Sequence, residues 1–149
     1  MISIADFVKT LDLECLTKTT RTEMNINVTD INRPGMQFCG FYEYFAYERT
    51  QVIGKVEMTY LESLDPEKRR EILETYMSYP LPCIIISWGM NPPADLLELA
   101  RAQDIPVFQS KLKTTKVSLQ LIMYLNRVLA PHVTRHGVLV DVYGVGILI

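Results

Sequence analysis

Gly144-Val145-Gly146 and the histidine pair His132 and His136 are where this sequence comes nearest to recognisable catalytic chemistry. A phosphate-binding loop needs glycines whose backbone N–H groups can approach phosphate oxygens, then a lysine and a hydroxyl residue for a metal. Gly144-Val145-Gly146 supplies two glycines without the Lys and Ser or Thr, so alone it reads as a hairpin turn. The apolar run after it does fit, because such loops leave the end of a buried strand. His132 and His136 have the i, i+4 spacing that would suit a metal on a helix. Pro131 and the alternating pattern beyond it argue against a helix, and no acidic or Cys partner is placed to complete a site. The residues themselves therefore read as structural histidines.

Lys111, Lys113 and Lys116 flank a helix start at the carboxyl end of an expected strand, where open α/β sheets often bind anions. Read as side chains alone, they are a solvated first turn. Trp88 lies just past a strand end and is either a partner contact or an incidental surface residue. Asp65, Glu67, Glu71 and Glu74 are helix-dipole partners and surface charge before they are a carboxylate pair. The aromatics of Phe38–Tyr47 read as core rather than as a platform for stacking bases. Cys15, Cys39 and Cys83 are an odd set without CxxC spacing, each in an apolar setting, which predicts buried free thiols.

These residues need elements to position them. Ser3 is an N-cap with Asp6 three residues on, and Ile4, Phe7, Val8 and Leu11 form the stripe of a first helix. Leu13–Leu16 and Ile26–Val28 are short strand candidates, Asn32-Arg33-Pro34-Gly35 is a turn, and Phe38–Tyr47 is expected to be helical. Gln51–Gly54 looks like a brief buried strand. Asp65-Pro66-Glu67 opens a helix running to about Ser78, with an Asp cap and Pro at the first helical position. Cys83–Ile86 is a strand covered on both faces. Pro92-Pro93 leads into a helix carrying Leu96, Leu97, Leu99 and Ala100. Ile105–Phe108 is the next strand, and Thr114 or Thr115 caps a helix bearing Val117, Leu121, Tyr124, Leu125 and Val128. Strand and helix alternating at such intervals predict an α/β fold of βαβ units around a parallel-type sheet with flanking helices. From His136 the pattern changes to two-step alternation, Val138, Val140 and Val142 against Leu139, Asp141 and Tyr143. Ile147-Leu148-Ile149 is a second apolar strand. This predicts a domain over residues 1–130, followed over 131–149 by a linker and a β-hairpin severed in mid-strand.

The chain's 149 residues suit one domain, and folding hides roughly two-thirds of the unfolded surface at this size. A net charge of -2 gives no reason to expect bulk-charge binding to nucleic acid or an anionic membrane. The start, Met1-Ile2-Ser3-Ile4-Ala5-Asp6, lacks the basic and apolar regions of a secretion signal, and no apolar run approaches a spanning helix. A cytoplasmic location is the expectation.

Four stretches together resemble the bacterial HPr serine kinase/phosphorylase family. They are NRPGMQFCGFYEYFAYERTQVIGKVEMTYLESL (Asn32–Leu64), PCIIIS (Pro82–Ser87), IPVFQSKLKTT (Ile105–Thr115) and HGVLVDVYGVGILI (His136–Ile149). The resemblance implies the N-terminal domain of a two-domain enzyme, similar to Mur ligase N-terminal domains and without a settled role, plus the first strands of a catalytic domain. Such enzymes phosphorylate a serine of the phosphocarrier HPr with ATP or pyrophosphate and Mg²⁺. They reverse the reaction by phosphorolysis, assemble as hexamers and serve carbon catabolite control. His136 matches the family's active-site histidine, so on resemblance it becomes a catalytic candidate. The phosphate-loop Lys, the Mg²⁺-binding Ser and Glu and the catalytic Asp would all lie beyond Ile149. This chain alone is therefore expected to be inactive and to hold no cofactor or metal. Relatives tend to carry Arg where this chain has Trp88. The alternative is a stand-alone, non-catalytic module of the same fold that binds a ligand or partner. In either case the apolar strands of His136–Ile149 are expected to favour self-association.

Overall fold

A computed structural model describes residues 1–131. The expected hairpin over His136–Ile149, the turn at Gly144-Val145-Gly146 and both histidines lie outside the described residues.

The chain begins with β1 (Ile2–Ser3), α1 (Ile4–Leu11), β2 (Glu14–Cys15), β3 (Glu23–Met24) and β4 (Ile31–Asn32). It continues through α2 (Gly35–Phe38), β5 (Thr50–Ile53), α3 (Lys55–Ser63), α4 (Pro66–Tyr76) and β6 (Ile84–Ile86). The last elements are α5 (Ala94–Ala102), β7 (Val107–Gln109) and α6 (Thr114–Val128). β1 and β3 form a separate antiparallel pair. The main sheet has the order β2-β7-β6-β5-β4, with β4 to β7 parallel. β2 lies antiparallel on β7, so the sheet is mixed rather than wholly parallel. The cause is local: Asp12 adopts a left-handed φ of 52° and its N–H bonds back to the Val8 carbonyl, which reverses the chain straight after α1.

Alternation along the strands divides the core into two layers. Ile53, Ile84, Ile86 and Val107 face Phe38, Met58, Leu61, Leu73, Tyr76, Leu96 and Leu99 from α2 to α5. Val52, Cys83, Ile85 and Phe108 face Phe7, Leu11, Val117, Leu121 and Tyr124 from α1 and α6. The protein is thus a helix–sheet–helix sandwich whose middle strands are covered on both sides, as the unbroken run Cys83–Ile86 required. A buried polar knot crosses the first layer. Gln51 Oε1 accepts from Asn32 Nδ2 and from the Tyr76 hydroxyl, both at 2.8 Å, while Gln51 Nε2 donates to the carbonyls of Arg49 and Ala46. Burial pushes the Tyr76 phenol well above its ordinary range, so it stays a hydrogen-bond donor.

Several sequence expectations are corrected. Phe38–Tyr47 is not a helix: α2 ends at Phe38, and Gly40 and Tyr44 take positive φ values of 94° and 60°. Aromatic packing wins over helical hydrogen bonding, with Tyr42 stacked on Tyr79 and Phe45 edge-on to the same ring. The core reading of these aromatics holds for Phe38 and Phe45, whereas Tyr44 is 94% exposed. The strand expected at Ile26–Val28 sits instead at Glu23–Met24, where pairing with β1 is available. α3 has no counterpart among the expected elements. α6 begins after Lys113, and Thr114 is its first residue rather than its cap, because the Thr114 hydroxyl is turned to Ser87.

The thiols divide as well. Cys83 is buried immediately before β6, but Cys15 and Cys39 are exposed, one on the edge strand and one in the turn after α2. Burial pushes the Cys83 thiol up to about 12. Iodoacetamide at neutral pH should label Cys15 and Cys39 in the native protein, and Cys83 only after denaturant is added. Mass spectrometry of the labelled peptides checks this. Native labelling of Cys83 at the rate of the other two would contradict the packing of β6.

Candidate functional site

All four parallel strands end on the same side of the sheet, and each delivers a residue to one cleft. β4 leads to Arg33, β5 to Lys55, β6 to Trp88 and β7 to Lys113 and Thr114. Val56, Thr115, Lys116 and Leu119 complete a cavity of about 540 Å³. The chain leaves β5 into α3 on one face of the sheet and leaves β7 into α6 on the other, so two helix N-termini flank the opening. This is the position at which open α/β sheets take ligands.

The floor is tightly built. Ser87, buried at the end of β6, pairs with the Thr114 hydroxyl at 2.6 Å and donates to the Ile53 carbonyl. Glu57, 6% exposed, accepts from the Gly54 N–H at 3.0 Å and from Arg33 Nε and Nη2 at 2.7 and 2.8 Å. That carboxylate caps α3, which has neither Ser, Thr, Asp nor Asn before it, and it also neutralises Arg33. A Cβ at Gly54 would meet Arg33 Nη2 at 2.5 Å and Thr114 Oγ1 at 2.8 Å. Position 54 is therefore restricted to glycine by close approach rather than by backbone angle.

The rim differs in character. Lys55 Nζ lies 4.7 Å and Lys113 Nζ 5.6 Å from the centroid of the Trp88 ring. Trp88 holds that place with a φ of 63°, a strained setting for a large side chain. Among the described residues no carboxylate lines the cleft. Lys55, Lys113 and Lys116 form no ion pair among the described residues.

Of the residues singled out from sequence, Lys113, Lys116 and Trp88 come together here, and Lys111 does not line the cavity. Asp65 caps α4 through the Lys68 N–H, while Glu71 and Glu74 pair with Lys68 and Arg70, so these acids are structural. His136 lies outside the described residues. Sequence reasoning missed Arg33, Lys55, Val56 and Leu119; a Gly-Lys pair directly after an apolar strand was the available signal. Among the described residues no group of three or more His, Cys, Asp or Glu could hold a metal, and Glu57 is committed to the Gly54 N–H and Arg33. No helix among them is long and apolar enough to cross a membrane.

Comparison with known proteins places this architecture. Residues 2–125 match the family model described as HPr Serine kinase N terminus. An HPr kinase/phosphorylase from Alkaliphilus metalliredigens is 49% identical over 99% of this chain and 48% of that protein. Those from Caldanaerobacter subterraneus and Clostridium acetobutylicum are each 43% identical with the same coverage. A solved structure of the CBS and DRTGG domains of a Clostridium perfringens pyrophosphatase regulatory region, complexed with its activator diadenosine tetraphosphate, has a TM-score of 0.53. It shares 17% identity over 80% of this chain and 46% of that one, a likeness of fold alone. The chain spans about half the length of the curated relatives it matches. With a family match along nearly the whole described domain, the chain belongs to the HPr kinase/phosphorylase family and carries its N-terminal portion.

Proposed function

We infer that this chain is the N-terminal, regulatory and assembly portion of a bifunctional HPr serine kinase/phosphorylase. The reading assigns the parent protein two reactions: phosphorylation of a serine of HPr with ATP or pyrophosphate and Mg²⁺, and removal of that phosphate by phosphorolysis. In this reading the strands of His136–Ile149 open the catalytic domain, and His136 sits beside the transferred phosphate. The remaining phosphate, metal and proton-transfer groups come from residues after Ile149. The domain of residues 1–130 is of the kind found at the N-termini of Mur ligases and contributes to a cytoplasmic hexamer. What supports the reading is one observation: the relatives align with this chain over 99% of its length but only 48% of theirs.

The 149-residue chain, mixed with HPr, ATP and Mg²⁺, should produce no phosphoserine, because the electrostatic clamp for a transferring phosphoryl group is not among its residues. The same sequence joined to the catalytic half of the Alkaliphilus relative should phosphorylate HPr. Phosphoserine formed by the short chain, or none formed by the fusion, would remove the basis for the assignment. A stand-alone ligand-binding module is the second reading. The observation favouring it is that every described residue lining the cleft falls within residues 33–119.

A further inference from the structure

We propose that the cleft at the carboxyl ends of β4–β7 binds a small phosphate ester. Lys55, Lys113 and Lys116 would take its charged group, and Trp88, Val56 and Leu119 its organic part. This inference does not depend on the kinase assignment, since every residue it uses lies within the described domain.

The charge pattern comes first. Of the cations at this opening only Arg33 is neutralised, by Glu57; three ammonium groups remain without an ion pair among the described residues. Two of them, from different strand ends, lie over one indole. Each gains from the ring, but like charges brought onto one side chain repel each other. An anion between them turns that repulsion into two attractions. The start of α6 acts in the same direction. Lys113 gives it no side-chain cap and its first turn holds no acid, whereas α1, α3 and α4 are capped by Ser3, Glu57 and Asp65.

The apolar half of the cleft sets the ligand class. Val56 is 77% exposed, Leu119 58% and Trp88 40%, yet all three line the same cavity. An inorganic anion would engage the lysines and leave that surface wet. An ester whose carbon skeleton covers it would bury apolar area as well. The cavity volume of about 540 Å³ lies in the range of small-molecule sites. With no carboxylate in the lining among the described residues, the cleft favours a free anion over a divalent-metal chelate.

Trp88 is the only tryptophan, so its emission reports on the site directly. The 149-residue chain is titrated with AMP, with ribose 5-phosphate and with inorganic phosphate, all at matched ionic strength. At least one ester should give a saturable change and bind at least tenfold more tightly than inorganic phosphate. AMP against ribose 5-phosphate separates a nucleotide source from a sugar phosphate. Lys113→Glu and Lys55→Glu should each weaken that ester roughly 10- to 100-fold, as expected for a lost charge-assisted contact. Lys9→Glu, on α1, should leave binding unchanged. Circular dichroism verifies that the variants are folded, and a Lys55→Ala variant replaces any that is not. Linear responses equal to those of sodium chloride, or saturable binding untouched by the Lys55 and Lys113 changes, would overturn the proposal. So would inorganic phosphate matching the ester's affinity, or an acidic peptide displacing the bound ester at lower concentration than inorganic phosphate does.

Discussion

Phe108→Ala should destabilise the domain by about 3–5 kcal/mol, a large share of the ~5–15 kcal/mol that holds a domain of this kind together. Phe108 is fully buried in β7, and its ring centroid lies 5.4 Å from that of Phe7 in α1. Phe7 in turn meets Tyr124 of α6 edge-on at 5.6 Å. Removing the Phe108 ring therefore opens a cavity at the junction of the sheet with both helices of one layer. The other side of the sheet cannot close it, because Val107 already points into the opposite layer. In urea the midpoint should fall by about 2 M with little change in slope. A loss below about 1 kcal/mol would mean that α1 and α6 collapse freely onto the gap, against the tight packing described above.

The second large effect concerns the proposed active site. In the protein extended into its catalytic half, His136→Ala should lower both phosphorylation of HPr and phosphorolysis by ~10²–10⁴-fold, the usual worth of one positioned acid–base or phosphate-contacting group. Thermal unfolding of residues 1–130 should be unchanged, since the proposed domain boundary at Pro131 leaves His136 outside that domain. Equal loss in both directions matters, because one site serving both reactions predicts it. Wild-type activity in both directions would return His136 to the structural role that its spacing alone suggested.

What could be read from sequence follows the range of the forces involved. Asp65-Pro66, the apolar run Cys83–Ile86 and the stripe from Val117 to Val128 are specified by neighbours a few residues away, and all three formed as expected. α3 escaped notice because its cap is not before it but inside it. Glu57 reaches back to Gly54, and Arg33, held by that same carboxylate, comes from 24 residues away. Phe38–Tyr47 misled because its aromatic spacing imitates a helix, while its geometry is fixed by Tyr79, far along the chain. At the candidate site, the lysines after β7 were visible as a pattern. Their convergence with Lys55 on Trp88 was not, since only the order of strands in the sheet makes those loops neighbours.

The N-terminal placement of α1 has a consequence for synthesis. The Tyr124 hydroxyl donates to Asp6 across 118 residues, and Thr17 accepts from the Val107 amide across 90. At ~5–20 residues per second, a ribosome needs roughly 6–24 s to deliver Tyr124 after Asp6 has emerged. Strands β4 to β7, by contrast, pair in the order in which they are made. Of the described helices, α1 is made first and is thus the one that waits longest for its partners. Throughout that interval Ile4, Phe7 and Leu11 are a sticky stripe on a nascent chain, a natural landing place for a chaperone.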